Sequence, residues 1–310
     1  MKSKNILLLG GSGNIGSNLI SKIIDNNNIF ILDKNLPQKN LFKDATYIKC
    51  DLLKNKELKK IPKKIDMAIF LIGQTGGPNS LNIKNLKNYI NVNCETLINF
   101  LKVIKKNSIK KIIFTSTEHV YQDNTKMLHA AHSFEPSPKN YYGASKLLSE
   151  KILYNFYKQN RVNIDILRIP RVIAQNSKNL ISSMIVSAIK NKKITVNKKK
   201  TNFNFIYLVD LLEALNACIN QGKTGFRILN IFNNDKPVSL FFIANFIKKN
   251  LKKKLTIIFS KKNYINEHNP LNLNIRNNYT KKTLKWKPLF SNKKIIKELI
   301  NIYELKTNFR

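Results

Sequence analysis

The sequence is short of three things: acidic residues, cysteine and long apolar runs. Of 310 residues only 18 are Asp or Glu, against 55 Lys or Arg, a formal net charge of +37. An excess of that size raises nucleic acid or an anionic membrane as a partner. The lysines, however, are spread along the chain rather than gathered into one stripe. Asn and Ile are over-used in parallel, as in Asn26, Asn27 and Asn28, which fits a genome-wide drift toward A/T-rich codons. A nucleic-acid module leaves a localised footprint. The expectation is therefore no specific nucleic-acid partner and only weak binding to polyanions at low salt; the same basic field suits an anionic small substrate. The three cysteines, Cys50, Cys94 and Cys218, are scattered and free of C-x-x-C spacing. That argues against a disulfide framework or a zinc site and leaves reduced, partly buried thiols. No apolar run approaches the ~20 residues of a membrane span. Ile6–Leu9 is too short for a signal-peptide core and runs straight into glycines. A cytoplasmic protein without a membrane partner is expected.

What is present is an alternation. The hydrophobic content of 43% supports one large domain, or a large one with a smaller companion. Apolar runs at Asn5–Leu9, Ile29–Leu32, Thr46–Lys49, Met67–Ile72, Lys111–Thr115 and Ile164–Leu167 read as strands. Between them Gly16–Ile24, Leu86–Lys105 and Tyr142–Lys158 have helical spacing. This pattern predicts an α/β fold, a doubly wound parallel sheet of Rossmann type, with a smaller α/β C-terminal substrate domain. Later segments are less regular: helices at Ile181–Ile189, Ser239–Lys249 and Ile295–Glu304, a run Phe205–Leu208 leading into a helix, and strands at Arg227–Phe232 and Thr256–Phe259. The expected division is residues 1–170 for a dinucleotide-binding domain, with a return segment at about 204–233, and residues 171–310, interleaved, for the substrate.

Near the front stands L-L-L-G-G-S-G-N-I-G-S-N-L-I, Leu7 to Ile20, whose glycines can be read two ways. Gly11, Gly13 and Gly16 spell G-x-G-x-x-G; Gly10, Gly13 and Gly16 spell G-x-x-G-x-x-G. Either way a strand, a glycine turn and a helix form the setting in which backbone approaches a pyrophosphate and the helix N-terminus faces it. Asp33 ends the second strand near the spacing at which an acid binds a ribose 2′-OH. A carboxylate there repels a 2′-phosphate, so NAD is favoured; Lys34 and Lys39 keep NADP open. Asp51 ends the third strand, placed to touch the adenine edge or to cap a helix.

Residues 141–150 read Y-Y-G-A-S-K-L-L-S-E. Tyr142 and Lys146, spaced i and i+4, share one helix face. A nearby ammonium favours the phenolate, so the pair is a usable general base or acid. Upstream, K-I-I-F-T-S-T (Lys111–Thr117) is a buried strand ending in hydroxyls. The order G-x-x-G-x-x-G, then T-S-T, then Y-x-x-x-K resembles the extended short-chain dehydrogenase/reductase family. More narrowly, it is similar to the NAD-dependent epimerase/dehydratase group acting on nucleotide sugars. N-x-x-T-x-x-N-F-L from Asn93, L-R-I-P-R-V-I-A from Leu167, Y-L-V-D-L-L-E-A from Tyr207 and L-K-W-K-P from Leu284 extend the likeness over nearly the whole chain.

The resemblance selects Gly10, Gly13 and Gly16 and leaves Gly11 to the turn alone. It implies that Thr117 holds a substrate hydroxyl and Tyr142 takes its proton. Lys146 then holds the nicotinamide ribose and keeps the Tyr142 pKa low. Asn14, Ile15, Leu52, Ile72, Gly73, Asn93 and Pro170 join Asp33 and Asp51 as cofactor residues, and Gln74, Thr117 and Arg171 serve the substrate. It also implies polysaccharide-biosynthesis chemistry and a homodimer through the helices at 86–105 and 142–158.

The chain departs from the family in places. After the catalytic Thr, dehydratases carry Asp-Glu and 4-epimerases small neutral residues; here stand Glu118 and His119, a possible acid and base. The Arg expected seven residues before Asp210 is Phe203, a second expected Arg is missing from Tyr264–Pro270, and the Asn after strand six is Arg171. Arg171 can replace part of a diphosphate clamp, with Lys198, Lys199, Lys200 and Arg276 as further candidates. His129 and His132 lack a third ligand, so no metal is expected. Two other readings stay open: an NAD(P)H-dependent ketone or sugar reductase of the same fold, and a non-catalytic dinucleotide binder with a polyanion partner.

Overall fold

Strands such as Leu7–Leu9 and Ile112–Phe114 offer no polar face, so they are stable only in a sheet covered on both sides. A computed structural model describes residues 3–35, 43–77, 80–104, 109–122, 131, 134–175, 177, 179–197, 202–251, 254–260 and 273–308. The first half runs β1 (Lys4–Leu9), α1 (Asn14–Ile23), β2 (Asn27–Asp33), β3 (Ala45–Lys49), β4 (Met67–Phe70), α2 (Leu86–Tyr89), a π-helical stretch (Ile90–Glu95), α3 (Thr96–Ile104), β5 (Lys111–Thr117), α4 (Tyr141–Asn160) and β6 (Asn163–Ile169). The second runs β7 (Arg171–Ile173), α5 (Leu180–Asn191), β8 (Lys193–Asn197), β9 (Asn202–Phe203), β10 (Phe205–Tyr207), α6 (Leu208–Asn220), β11 (Phe226–Asn230), β12 (Val238–Ser239), α7 (Leu240–Asn250), β13 (Thr256–Ser260), α8 (Asn278–Leu284) and α9 (Asn292–Asn308).

Seven parallel strands form the main sheet in the order β11-β6-β5-β4-β1-β2-β3. Successive residues of a strand face opposite sides, and both sides are apolar. Ile6 and Leu8 meet α1 (Leu19, Ile20, Ile23) and α6 (Leu211, Leu215). Leu7 and Leu9 share the other face with α3 (Leu97, Phe100, Ile104) and α4 (Leu153). A third core joins α5, α7 and α9 through Ile185, Ile247 and Ile296. The fold is thus the doubly wound α/β type that the alternation predicts. From β1 the chain winds outward to β3, then returns to β4 on the other side of β1. Such a reversal opens a crevice at the carboxyl ends of the strands.

Several elements differ from expectation. The apolar pattern over Leu86–Lys105 predicts one continuous helix, but the π-helical stretch divides it; Lys105 lies outside the described residues. β4 ends at Phe70 rather than Ile72: Leu71 N still donates to the Leu9 carbonyl at 2.8 Å, and the backbone then passes against Gly10. Asp51 does not cap the short 3-10 turn after β3: its carboxylate accepts from Leu53 N at 3.1 Å, and Lys54 occupies the cap position without a side-chain bond. Asp210 and the L-K-W-K-P segment serve packing: the buried Asp210 carboxylate accepts from Leu289 N at 2.8 Å and Phe290 N at 3.1 Å, and Trp286 Nε1 donates to the Asp210 carbonyl. Among the described residues no helix is long and apolar enough to cross a membrane, and no cluster of metal-ligating side chains occurs. Lys39, His129, His132, Lys198, Lys199, Lys200 and Tyr264–Pro270 lie outside the described residues.

Candidate active site

The crevice begins at the glycine loop. Gly10 has φ +83°, open to glycine without strain. A Cβ on Gly16 would lie 2.6 Å from both Cα and carbonyl O of Gly11. Gly11 therefore does more than turn the chain: a Cβ on it would meet Ile31 at 2.9 Å, and its own backbone is the surface against which α1 is laid. Gly13 caps α1 without a side chain, so the first amides of that helix open onto the crevice. Substituting Gly16 by Ala is expected to displace α1 from the loop, since backbone cannot give way. NADH affinity, read by fluorescence titration, should fall at least ~100-fold, with roughly 1–3 kcal/mol lost in stability; affinity within threefold of the parent would sink this account of the loop.

Two adjoining cavities of about 490 Å³ and about 410 Å³ share Gly10, Gly13, Leu71 and Gly73, and together form one groove. The smaller is lined by Asp33, Asp51, Leu52, Ile72 and Gln74. Asp33 sits at the loop's elbow, its carboxylate accepting from Ser12 N and Asn35 N, each at 3.0 Å. The larger brings Asn14, Ile15 and Gly16 opposite Thr117, Glu118, His119, Tyr142, Pro170 and Arg171.

Asn93 and Lys146 lie beneath the groove, both buried. The π-helical stretch gives the helix an extra residue there, a feature that re-aims side chains at functional sites. Asn93 Oδ1 accepts from Gln74 N at 2.7 Å, and Nδ2 donates to Ser145 Oγ at 2.8 Å. Ser145 in turn donates to the Tyr142 carbonyl at 2.8 Å, so Asn93 braces both the Gly73–Gln74 turn and the start of α4.

The three hydroxyls at the end of β5 go three ways. Thr115 donates to the Phe70 carbonyl and Ser116 to the buried Glu150, whereas Thr117 accepts from His119 N at 3.3 Å and reaches the groove beside Tyr142. α4 starts at Asn140, whose Oδ1 accepts from Gly143 N at 2.8 Å and whose Nδ2 donates to His119 Nδ1 at 3.0 Å. A Cβ on Gly143 would stand 2.1 Å from the His119 carbonyl, so only glycine lets α4 come this close to the turn after β5. The Tyr142 ring is held between Tyr89 (6.1 Å), the edge of His119 (5.4 Å) and Gly76.

Electrostatics differ from expectation in one respect. The chain's own groups raise the Tyr142 pKa rather than hold it low: burial pushes the phenol up to about 12, the Glu118 carboxylate and Tyr89 add to this, and the Thr117 hydrogen bond opposes it. Lys146, set over the Phe114 ring at 4.3 Å, is brought down to about 8 by burial, with Glu150 opposing. Glu118 is pushed up to about 7 by burial, against the pull of Arg171 and a hydrogen bond from Asn204 Nδ2 at 3.1 Å. The Arg171 guanidinium rests on the Phe203 ring at 5.0 Å, so the residue standing where the family has Arg serves as its platform. Arg276 Nη1 donates to the Asn234 carbonyl, away from both cavity linings.

Sequence reasoning missed Gly76, Gly143, Asn140, Ser145, Asn204 and Tyr89. Only Asn140 carried a local signal, an N-cap residue before the Tyr142 helix.

Comparison with known proteins places this geometry. The chain is 28% identical over 258 residues to a dTDP-D-glucose 4,6-dehydratase of Dictyostelium discoideum, covering 74% of this chain and 58% of that one. It is 25% identical over 257 residues to the N-acetyl-alpha-D-glucosaminyl-diphospho-ditrans,octacis-undecaprenol 4-epimerase of Escherichia coli O157:H7, covering 81% and 73%. Its fold matches that of a UDP-glucuronic acid 4-epimerase from Bacillus cereus, in complex with UDP-glucuronic acid and NAD, with TM-score 0.83 at 22% identity, over 97% and 99% of the two chains. The model of one family matches residues 6–231, and with the glycine loop, the crevice and the Tyr–Lys helix all falling inside that span, the chain belongs to the NAD-dependent epimerase/dehydratase family.

Proposed function

We propose that the protein acts on a nucleotide sugar, with Tyr142 as the general base at the sugar carbon that is transiently oxidised. One observation carries the reading: Thr117 and Tyr142 line the same cavity as the uncapped N-terminus of α1. The groove fits NAD, because the backbone of Gly10, Gly13 and Gly16 lines it and α1 opens uncapped amides onto it. When bound, NAD supplies a reversible hydride acceptor and a cationic ring. The chain's residues do the rest. The glycine loop and α1 hold the diphosphate, Asp33 the adenosine ribose, and Asp51 and Leu52 the adenine side. Asn14, Ile15, Ile72, Gly73 and Pro170 shape the walls, Asn93 braces the Gly73–Gln74 turn, and Lys146 holds the second ribose. Thr117 orients the sugar hydroxyl, Tyr142 receives its proton, and Gln74 and Arg171 face the substrate. Residues 1–170 with 204–233 make up the cofactor part and the remainder of 171–310 the substrate part. The assembly is a homodimer through the helices at 86–105 and 142–158, a reading supported by the exposure of Leu148 and Tyr154 on α4.

Glu118 favours elimination as a second reading. A carboxyl poised at about 7 on the cavity wall is matched to protonating a leaving hydroxyl near neutrality, and His119 beside it can remove a proton. The test is proton NMR of the protein with NAD and UDP-, dTDP-, GDP- and CDP-sugars, run beside Tyr142→Phe. An inverted C4 coupling that the variant lacks means epimerisation; a new C6 methyl means dehydration. In the second case Glu118→Gln should suppress the methyl at least ~100-fold. No change in any tube defeats the nucleotide-sugar reading and turns attention to the reductase.

A further inference from the structure

Behind the groove lies a buried polar network that no step above uses. Glu150 stands one helical turn beyond Lys146 on α4 and is 3% exposed. Its Oε1 accepts from Ser116 Oγ at 2.5 Å and Arg168 Nε at 3.1 Å, and its Oε2 from Arg168 Nη2 at 2.6 Å. Arg168, on β6, spends its remaining arm on Tyr121 Oη at 2.8 Å, and Tyr121 donates to Asn230 Oδ1 on β11 at 2.9 Å. The guanidinium also lies over the Tyr121 ring at 4.7 Å. One carboxylate therefore joins β5, β6 and α4 and, through Arg168, the turn after β5 and β11. Ser116 is the residue before Thr117, and Glu150 is on the helix that carries Tyr142 and Lys146.

A cluster so deeply desolvated is costly to build. Its placement explains what the cost secures. Lys146 is surrounded by the Phe114 ring from β5, the Cys94 thiol from the π-helical stretch, Gly73 after β4 and Glu150 from its own helix. Of these, Glu150 is the one whose charge most opposes the loss of the Lys146 proton. Resting on the assignment of Thr117, Tyr142 and Lys146 above, we propose that Glu150 is a positioning residue of the catalytic centre: through Ser116 and Arg168 it ties the Thr117 end of β5 to the helix face that carries Tyr142 and Lys146.

The readout is NADH affinity by fluorescence between pH 6 and 10, which needs no sugar. In the parent, affinity should decline as Lys146, its pKa brought down to about 8 by burial, loses its proton. In Glu150→Gln the midpoint should fall by about one pH unit, making binding roughly fivefold weaker near pH 8 but within twofold of the parent at pH 6. Lys146→Met should be flat with pH. If Lys146→Met keeps the parental profile, the assignment of Lys146 has failed. If Lys146→Met is flat and Glu150→Gln superposes on the parent, this proposal has failed. Ser116→Ala removes one hydrogen bond and no charge. It should leave the midpoint in place, keep KM and lower kcat ~10-fold for the sugar that turns over. Parental kcat in Ser116→Ala overturns the proposal whether or not Glu150→Gln folds.

Discussion

Replacing Tyr142 by Phe should lower kcat by ~10³-fold or more and leave NADH affinity within about twofold of the parent. Phenylalanine keeps everything the ring does structurally. It still packs on Tyr89, His119 and Gly76, and α4 still starts at Asn140. Only the hydroxyl, which lines the cavity with Thr117, is lost. The phenol is raised to about 12 by burial, so the neutral form dominates in the resting site and the proton taken from substrate must be received against that preference. The cation on the same helix face is Lys146, whose own proton is held only to about 8. The sign follows: below 8 the ammonium is present, and as pH rises through 8 it is lost, so turnover should fall on the basic side with a limb near 8 instead of climbing toward the phenol's value. A rate still rising at pH 9, or a Phe variant with a tenth of parental turnover, would remove Tyr142 and Lys146 from their roles.

The parts of this site legible in the sequence are those whose chemistry is local. Gly10, Gly13 and Gly16 lie between a strand and a helix, Asp33 closes the next strand, and Tyr142 and Lys146 are one turn apart. In each case spacing alone fixes the neighbour. What stayed hidden depends on residues far apart in the chain. Gly143 is obligatory because of the His119 carbonyl on another element. Arg171 needs the Phe203 ring from β9. Glu150 looks like an ordinary solvent-facing helix position until Ser116 and Arg168 close over it. The π-helical stretch was invisible for a different reason: one inserted residue hardly disturbs the apolar periodicity of 86–104, yet it decides where Asn93 points. The two-residue strands β9 and β12 are too short to carry any pattern. Asp210 and L-K-W-K-P were legible as motifs and not as partners, since their hydrogen bonds span about 80 residues.

Replacing Asp165 by Ala should cost ~3–5 kcal/mol of unfolding free energy, the range for removing one partner of a buried ion pair. Asp165 is fully buried in β6, in register with Ile113 of β5 and Arg227 of β11. Its Oδ2 meets Lys111 Nζ at 2.8 Å, and Arg227 grips both oxygens at 2.7 Å. Lys111 is 4% exposed in its side chain and Arg227 11%, so removing the carboxylate leaves two cations in the sheet with no anion between them. Lys111 retains the carbonyls of Cys218 at 2.7 Å and Gln221 at 3.4 Å, which satisfy donors but not the charge. In a chain carrying +37 the loss is not made up by other acids. The contrast with Lys111→Met is the sharper measurement. That change removes one cation and leaves Asp165 in a bidentate pair with Arg227, which is geometrically complete by itself. It should cost less than half as much in urea unfolding, and adding Lys111→Met to Asp165→Ala should recover part of the loss. If the two single variants are equally unstable, the triad acts as packing volume and not as charge. If Asp165→Ala costs under ~1 kcal/mol, water has reached the site and the pair is worth no more than a surface one. Because this triad lies toward the amino ends of β5 and β6, opposite Thr117, the folded fraction of Asp165→Ala should bind NADH as the parent does.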